Sequence, residues 1–109
     1  TELRDFAKTL STEGSFADGI VSGSELSTLA LIDGLKQAGL CPGTDFDMVS
    51  KQTANLLDVV SPGIDSLCED LISAGEKLAE HLLAQINGAD IEKTQSISQP
   101  KPLWRSSPM

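Results

Sequence analysis

Few residues in this chain combine a reactive type with a useful spacing. Ser22-Gly23-Ser24 follows the short apolar run Ile20-Val21 and opens a helical pattern. At such a strand-to-helix turn Ser24 could hold a ligand, with the helix N-terminal amides behind it, or act as a plain N-cap. Ser22 followed by Glu25 fits a capping box, which makes Glu25 a cap partner before it is a general base. His81 is the single histidine, set mid-helix beside Glu80 with no second imidazole near it in sequence. The expectation is a partly exposed helix histidine rather than a metal ligand or a catalytic base. Asp65 and Ser66 match a catalytic pair only by type. Cys41 and Cys68 show neither a metal-binding spacing nor a CxxC arrangement, so two free thiols in a reducing cytoplasm are expected. Trp104 could stack on a sugar ring, but its place in a Pro-broken tail predicts packing instead. Without a nucleophile elbow, P-loop or GxGxxG, the chain offers no enzyme chemistry, and no metal or cofactor is expected.

The elements that must position these residues are organised around the stretch 16–49. A strand is expected over 18–21, then an amphipathic helix running to Ala38 and closed by Gly39, then a strand over 46–49. Strand-length apolar runs flanking a helix-length periodic segment read as a βαβ unit. The turn after its first strand is where α/β sheets bind ligands. Before it, Leu3, Phe6, Ala7 and Leu10 give a short helix within 1–13. After it, 54–57 could form one helical turn, broken by the run from Asp58 to Gly63, and 64–67 is extended. The clearest helix covers about 69–87, with Leu71, Ile72, Leu78, Ala79, Leu82, Leu83 and Ile86 on one wide face. Gly75 on that face would let a neighbour approach closely. Ser96-Ile97-Ser98 alternates weakly, and Leu103-Trp104 could form a last strand limited by Pro100 and Pro102.

Composition narrows the function class. One domain at most fits into 109 residues, 39% of them hydrophobic, with only three Phe and one Trp as aromatics. The core must therefore rest on Leu, Ile, Val and Ala. A formal net charge of −8 argues against this segment as a DNA-binding or anionic-membrane surface. No apolar run approaches the roughly 20 residues that span a bilayer, and no signal peptide opens the chain. Thr1-Glu2-Leu3 enters a helical pattern directly with no Met, so the sequence reads as a piece with upstream chain missing.

Taken in order, these pieces resemble the C-terminal part of the effector-binding domain of LacI/GalR-family transcriptional regulators, a fold similar to periplasmic sugar-binding proteins. The family's strand, small-residue turn with Asn-Asp, and Leu/Ala-rich helix ending in Ala-Gly is matched by residues 19–40. Ser24-Glu25 stands where the family has Asn-Asp, and Gln37-Ala38-Gly39-Leu40 matches the helix end. Pro42, the strand over 46–49 and Ser50-Lys51-Gln52-Thr53 stand for the family's Pro turn and strand ending in Gly-Phe/Tyr-Asp-Asp. Pro62-Gly63-Ile64-Asp65-Ser66-Leu67 fits the Pro-Pro-Leu-Thr-Thr-Val before a Gly-bearing helix. Pro100, Leu103, Arg105 and Ser106-Ser107 echo its closing Pro, Leu, Arg and Ser.

The resemblance implies an α/β fold, a parallel sheet with flanking helices forming part of a periplasmic-binding-protein-like, Rossmann-type lobe. It implies a small polar effector, a sugar in most of the family, bound where the Asn of Asn-Asp and the first Asp of Gly-Phe/Tyr-Asp-Asp lie. Ser24 and Gln52 occupy those positions. A carboxylate accepts hydroxyl hydrogen bonds strongly, whereas an amide offers one acceptor and a donor, so the family's usual sugar does not carry over directly. DNA would be bound only through a helix-turn-helix that this sequence lacks, and no membrane is involved. In the family the helix after Asn-Asp contributes to a homodimer interface, so Leu26, Leu29 and Leu35 are expected to face either the sheet or a partner subunit. Two other readings stay open: a periplasmic sugar-binding protein of a transporter, and an unrelated receiver-like or enzymatic α/β domain.

Overall fold

A computed structural model describes residues 2–10, 18–60 and 63–105. The end of the first expected helix, Pro62 and the Ser106-Ser107 pair lie outside them. The chain runs α1 (Glu2–Leu10), β1 (Gly19–Ser22), α2 (Glu25–Gln37), β2 (Asp47–Gln52), α3 (Leu56–Val60), β3 (Asp65–Cys68), α4 (Leu71–Ile86), a 3-10 turn (Ile91–Thr94) and β4 (Lys101–Leu103). The strands form one sheet in the order β1-β2-β3-β4. β1, β2 and β3 are parallel, with Ser22 opposite Ser50 and Ser50 opposite Ser66. β4 returns antiparallel to β3, placing Pro102 opposite Leu67 on an edge strand, where a missing N–H costs no ladder bond. The mixed α/β, mostly parallel sheet with flanking helices is a partial Rossmann-like lobe, as the sequence implies.

Among the described residues only one face of this sheet is covered. Ala7 of α1, Ile32 and Leu35 of α2, and Phe46, Met48, Leu57 and Ile64 make the buried core. Each large side chain so placed contributes about 1.5–3 kcal/mol. Helix α1 docks through small residues: a Cβ at Gly34 would stand against the Arg4 carbonyl and 2.7 Å from the Ala7 Cβ. Leu35 is thus a core residue and Leu29 packs partly against the core, leaving Leu26 exposed. The other face presents Val21, which is 87% exposed, and Leu67, both open to solvent.

Several boundaries differ from the sequence expectation. β2 runs three residues past Val49 because Ser50 and Gln52 turn toward the covered face and find polar partners there. The Ser50 hydroxyl lies 2.6 Å from that of Thr28. Asp58 does not break the short helix near Leu57 but lies within α3. Ser96-Ile97-Ser98 pairs with no strand. Trp104 is largely exposed rather than packed. The largest difference concerns α4, which begins at its N-cap Asp70 and buries none of its residues. A Cβ at Gly75 would meet nothing within 4 Å, so the close neighbour expected there is not among the described residues.

Candidate functional site

The carboxyl ends of β1, β2 and β3 converge on two shallow cavities of about 380 and 320 Å³. Ser24, Glu25, Lys51 and Thr53 line the first. Thr53, Glu69, Asp70, Gln99 and Lys101 line the second, so Thr53 separates the two. This is the end of a parallel sheet where ligands are received in α/β folds. Lys51 bridges the strand ends by an ion pair to Glu69 at 3.1 Å, both half-exposed. Such a pair contributes little to stability but sets the charge at the cavity mouth.

Ser24 is the N-cap of α2, with its Oγ accepting the Ser27 N–H at 3.1 Å and donating to the Ser27 Oγ at 2.9 Å. A hydroxyl has one donor and two acceptor lone pairs, so one lone pair remains for a ligand in the first cavity. Capping and ligand contact are therefore compatible. Ser24→Ala should cost about 1 kcal/mol of stability, read as a lowered urea midpoint with an unchanged m-value. A midpoint equal to wild type would remove the capping role.

Glu25 does something the capping-box reading missed. Helix α2 starts at Glu25 itself, so Ser22 cannot be its cap; the Ser22 hydroxyl donates to the Ser24 carbonyl at 3.3 Å instead. The Glu25 carboxylate crosses to the loop after β2. There it accepts the N–H groups of Thr53 and Ala54, both at 2.7 Å, and that of Leu56 at 3.3 Å. The Thr53 hydroxyl adds a fourth bond at 3.3 Å. Burial is the largest single influence on this carboxyl and disfavours its charge. The bonds from Ala54, Thr53 and Leu56 together outweigh burial and hold the carboxyl below its ordinary value of 4.5. Glu25 thus fixes the loop that forms the floor of the first cavity.

A carboxyl depressed on folding stabilises the fold above its unfolded pKa, and that contribution disappears as pH falls through the lower folded value. Glu25→Gln should therefore cost about 2 kcal/mol at pH 7 and converge toward wild type below the ordinary carboxylate range. Urea unfolding at pH 7 and pH 3 checks this. An equal deficit at both values would show that charge is irrelevant there.

Gln52 lines neither cavity. Its side chain is buried on the covered face, where its Oε1 accepts the Arg105 Nη2 at 2.7 Å and its Nε2 stands 3.5 Å from Asp58. The structure brings Ser24 to the cavity but turns Gln52 beneath it, because Arg105 takes the amide oxygen. Arg105 is the centre of this network. Its Nη1 donates to the Ile64 carbonyl at 2.8 Å and to the Ser66 hydroxyl, and its Nη2 pairs with Asp58. Its backbone N–H donates to Asp65 at 2.8 Å. Asp65 and Ser66 thereby receive structural roles. Sequence reasoning matched Arg105 only as part of a family ending and did not single out Lys51 or Thr53, whose types are common in loops.

Elsewhere, the His81 ring lies 3.1 Å from the Ser96 hydroxyl and ties α4 to the tail. Cys41 and Cys68 are free thiols. Among the described residues no His, Cys, Asp and Glu group could hold a metal ion, and no helix is long and apolar enough to cross a membrane.

No family model matches this chain, and no curated protein matches it. Among solved structures it is similar to the crystal structure of "a putative transcription regulator from Staphylococcus saprophyticus subsp. saprophyticus", at 21% identity and a TM-score of 0.72. The likeness covers 94% of this chain and 36% of the other, so the chain spans about a third of that protein's length. At this identity the likeness establishes the fold: the chain shares the α/β architecture of part of that protein.

Proposed function

We propose that this chain is the ligand-sensing portion of a LacI-type transcriptional regulator, taking a small polar effector at the carboxyl ends of β1 and β2. The observation that carries this reading is the first cavity, where Ser24, Lys51 and Thr53 stand around a floor fixed by Glu25. The regulator named for the similar structure supports it, as do the family motifs in the sequence. Ser24 and Thr53 offer hydroxyls suited to a polyol, and Lys51 offers a cationic donor. Gln52 acts indirectly, by anchoring the end of β2 from which Thr53 projects. Binding in the whole regulator closes a second lobe over the effector and shifts operator affinity through differential binding to two states.

A cleft lined from one side buries too little of a sugar for tight binding, so this chain should bind with a Kd on the order of millimolar. Amide chemical-shift mapping with a panel of pentoses and hexoses tests the reading. Saturable shifts should cluster at Ser24, Lys51 and Thr53 and weaken in Thr53→Ala. Shifts scattered over the surface, or none at any sugar, would count against an effector site here.

A further inference from the structure

The two strand-end cavities differ in charge. The second sets Glu69 and Asp70 against Lys101. The first is lined by one cation, Lys51, and one carboxylate, Glu25. That carboxylate is already committed. One oxygen accepts the Thr53 and Ala54 amides and the Thr53 hydroxyl, and the other accepts the Leu56 amide. Glu25 is only 7% exposed, so its charge is turned to the loop and balanced there. A ligand entering this cavity therefore meets the Lys51 ammonium, the hydroxyls of Ser24 and Thr53, and the apolar side chains of Leu26 and Leu56. Among the described residues the ammonium pairs with Glu69 at 3.1 Å, the two side chains being 49% and 38% exposed. An exposed pair of this kind is weak and exchanges partners readily.

We propose that the first cavity selects an effector carrying an acidic group, a sugar acid or a sugar phosphate, with Lys51 reading the charge and Glu69 as its competitor. This deepens the effector reading and rests on it. Binding is an exchange, in which the acidic group takes the ammonium that Glu69 holds. The hydroxyls of Ser24 and Thr53 donate to the ligand's oxygens, and Leu26 and Leu56 cover the C–H face of the ring. Hydrogen bonds to an ionised acceptor are about twice as strong as those between neutral groups. One acidic group therefore adds about tenfold in affinity over the neutral sugar. The formal net charge of −8 does not prevent this, because surface charges more than about 8 Å away are largely screened at physiological salt. The second cavity lacks this balance, since Glu69 and Asp70 would repel the same group.

Amide chemical-shift titrations of the chain with glucose, glucuronate, glucose 6-phosphate and glucuronamide, the uncharged isostere of glucuronate, test it. At least one acidic sugar should bind about tenfold more tightly than glucose, with its shifts centred on Ser24, Lys51 and Thr53. Glucuronamide should behave as glucose does. Glucuronate ahead assigns a carboxylate to the site, and glucose 6-phosphate ahead assigns a phosphate. The advantage should shrink severalfold between about 20 and 300 mM NaCl, as screening of an exposed ion pair requires. Lys51→Gln should abolish it and Lys51→Arg should keep it. Glu69→Gln should enlarge it about threefold by freeing the ammonium. Both side chains are half-exposed, so these variants should keep a urea midpoint close to wild type. Equal affinity for glucose and both acidic sugars at these residues would overturn the proposal and leave the effector site standing. An acidic preference that survives Lys51→Gln would overturn it as well. No saturable shift at these residues from any of the four ligands would overturn both this proposal and the effector reading.

Discussion

Arg105→Ala should destabilise the lobe by about 2–4 kcal/mol, because it orphans the buried Gln52 and Ser66 side chains and takes the cation from the solvent-exposed Asp58. The side chain is only 10% exposed, and its guanidinium connects β2 through Gln52, β3 through Ser66, the approach to β3 through the Ile64 carbonyl, and α3 through Asp58. Removing it leaves the Gln52 carbonyl oxygen and the Ser66 hydroxyl buried with fewer partners, and each orphaned group carries a desolvation cost of its own. Small domains have about 5–15 kcal/mol of stability in total, so a loss of this size would leave a substantial unfolded fraction. Urea unfolding followed by circular dichroism gives the number. Arg105→Lys should recover only part of it, because an ammonium cannot reproduce the planar fork that reaches four acceptors at once. A deficit below about 1 kcal/mol for the alanine variant would show that water replaces the guanidinium at little cost. The network would then be peripheral.

Gly34→Ala should cost about 3 kcal/mol, at the upper end of what overpacking a core produces. In most exposed helix interiors this substitution is stabilising, since Ala is the better helix former. Here the added Cβ would press on the backbone oxygen of Arg4, and a backbone atom cannot swing aside as a side-chain tip can. Relief requires α1 to move off α2, which uncovers Ala7 and the adjoining part of the core. Hydrogen exchange should report this locally, with the amides of α1 losing protection while those of β2 keep theirs. An unchanged midpoint with α1 still protected would mean that the two helices can separate slightly without loss.

Glu25 and Ser24 show how much of the site could be read from local sequence. Both were legible as residues of a strand-to-helix turn, because capping chemistry depends on spacings of two or three residues. Ser24 fills that role. Glu25 does not, since its partners are the amides of Thr53, Ala54 and Leu56, about thirty residues away. A carboxylate at the first turn of a helix looks the same in sequence whether it caps its own helix or reaches across to a loop.

Element placement followed periodicity closely wherever side chains face one environment. The period near 3.6 in α1, α2 and α4 reflects a single buried or potentially buried face, and the apolar run Ile20-Val21 marks β1. β2 was underestimated because Ser50, Lys51 and Gln52 are polar. Only a partner across the layer, Thr28 for Ser50 and Arg105 for Gln52, makes a polar strand residue stable in a covered position.

The sequence by itself determined the main helices, the order of the strands and the parallel α/β class, because these follow from local periodicity, turn residues and helix ends. It also determined that α4 carries a broad apolar face. Tertiary structure alone decided that this face stays bare among the described residues, which residues reach the strand-end cavities, and that Gln52 turns away from them toward Arg105. Those outcomes depend on contacts between residues 28 to 53 positions apart. Such contacts arise from how layers stack, and an amphipathic pattern records only that a face needs covering, not what covers it.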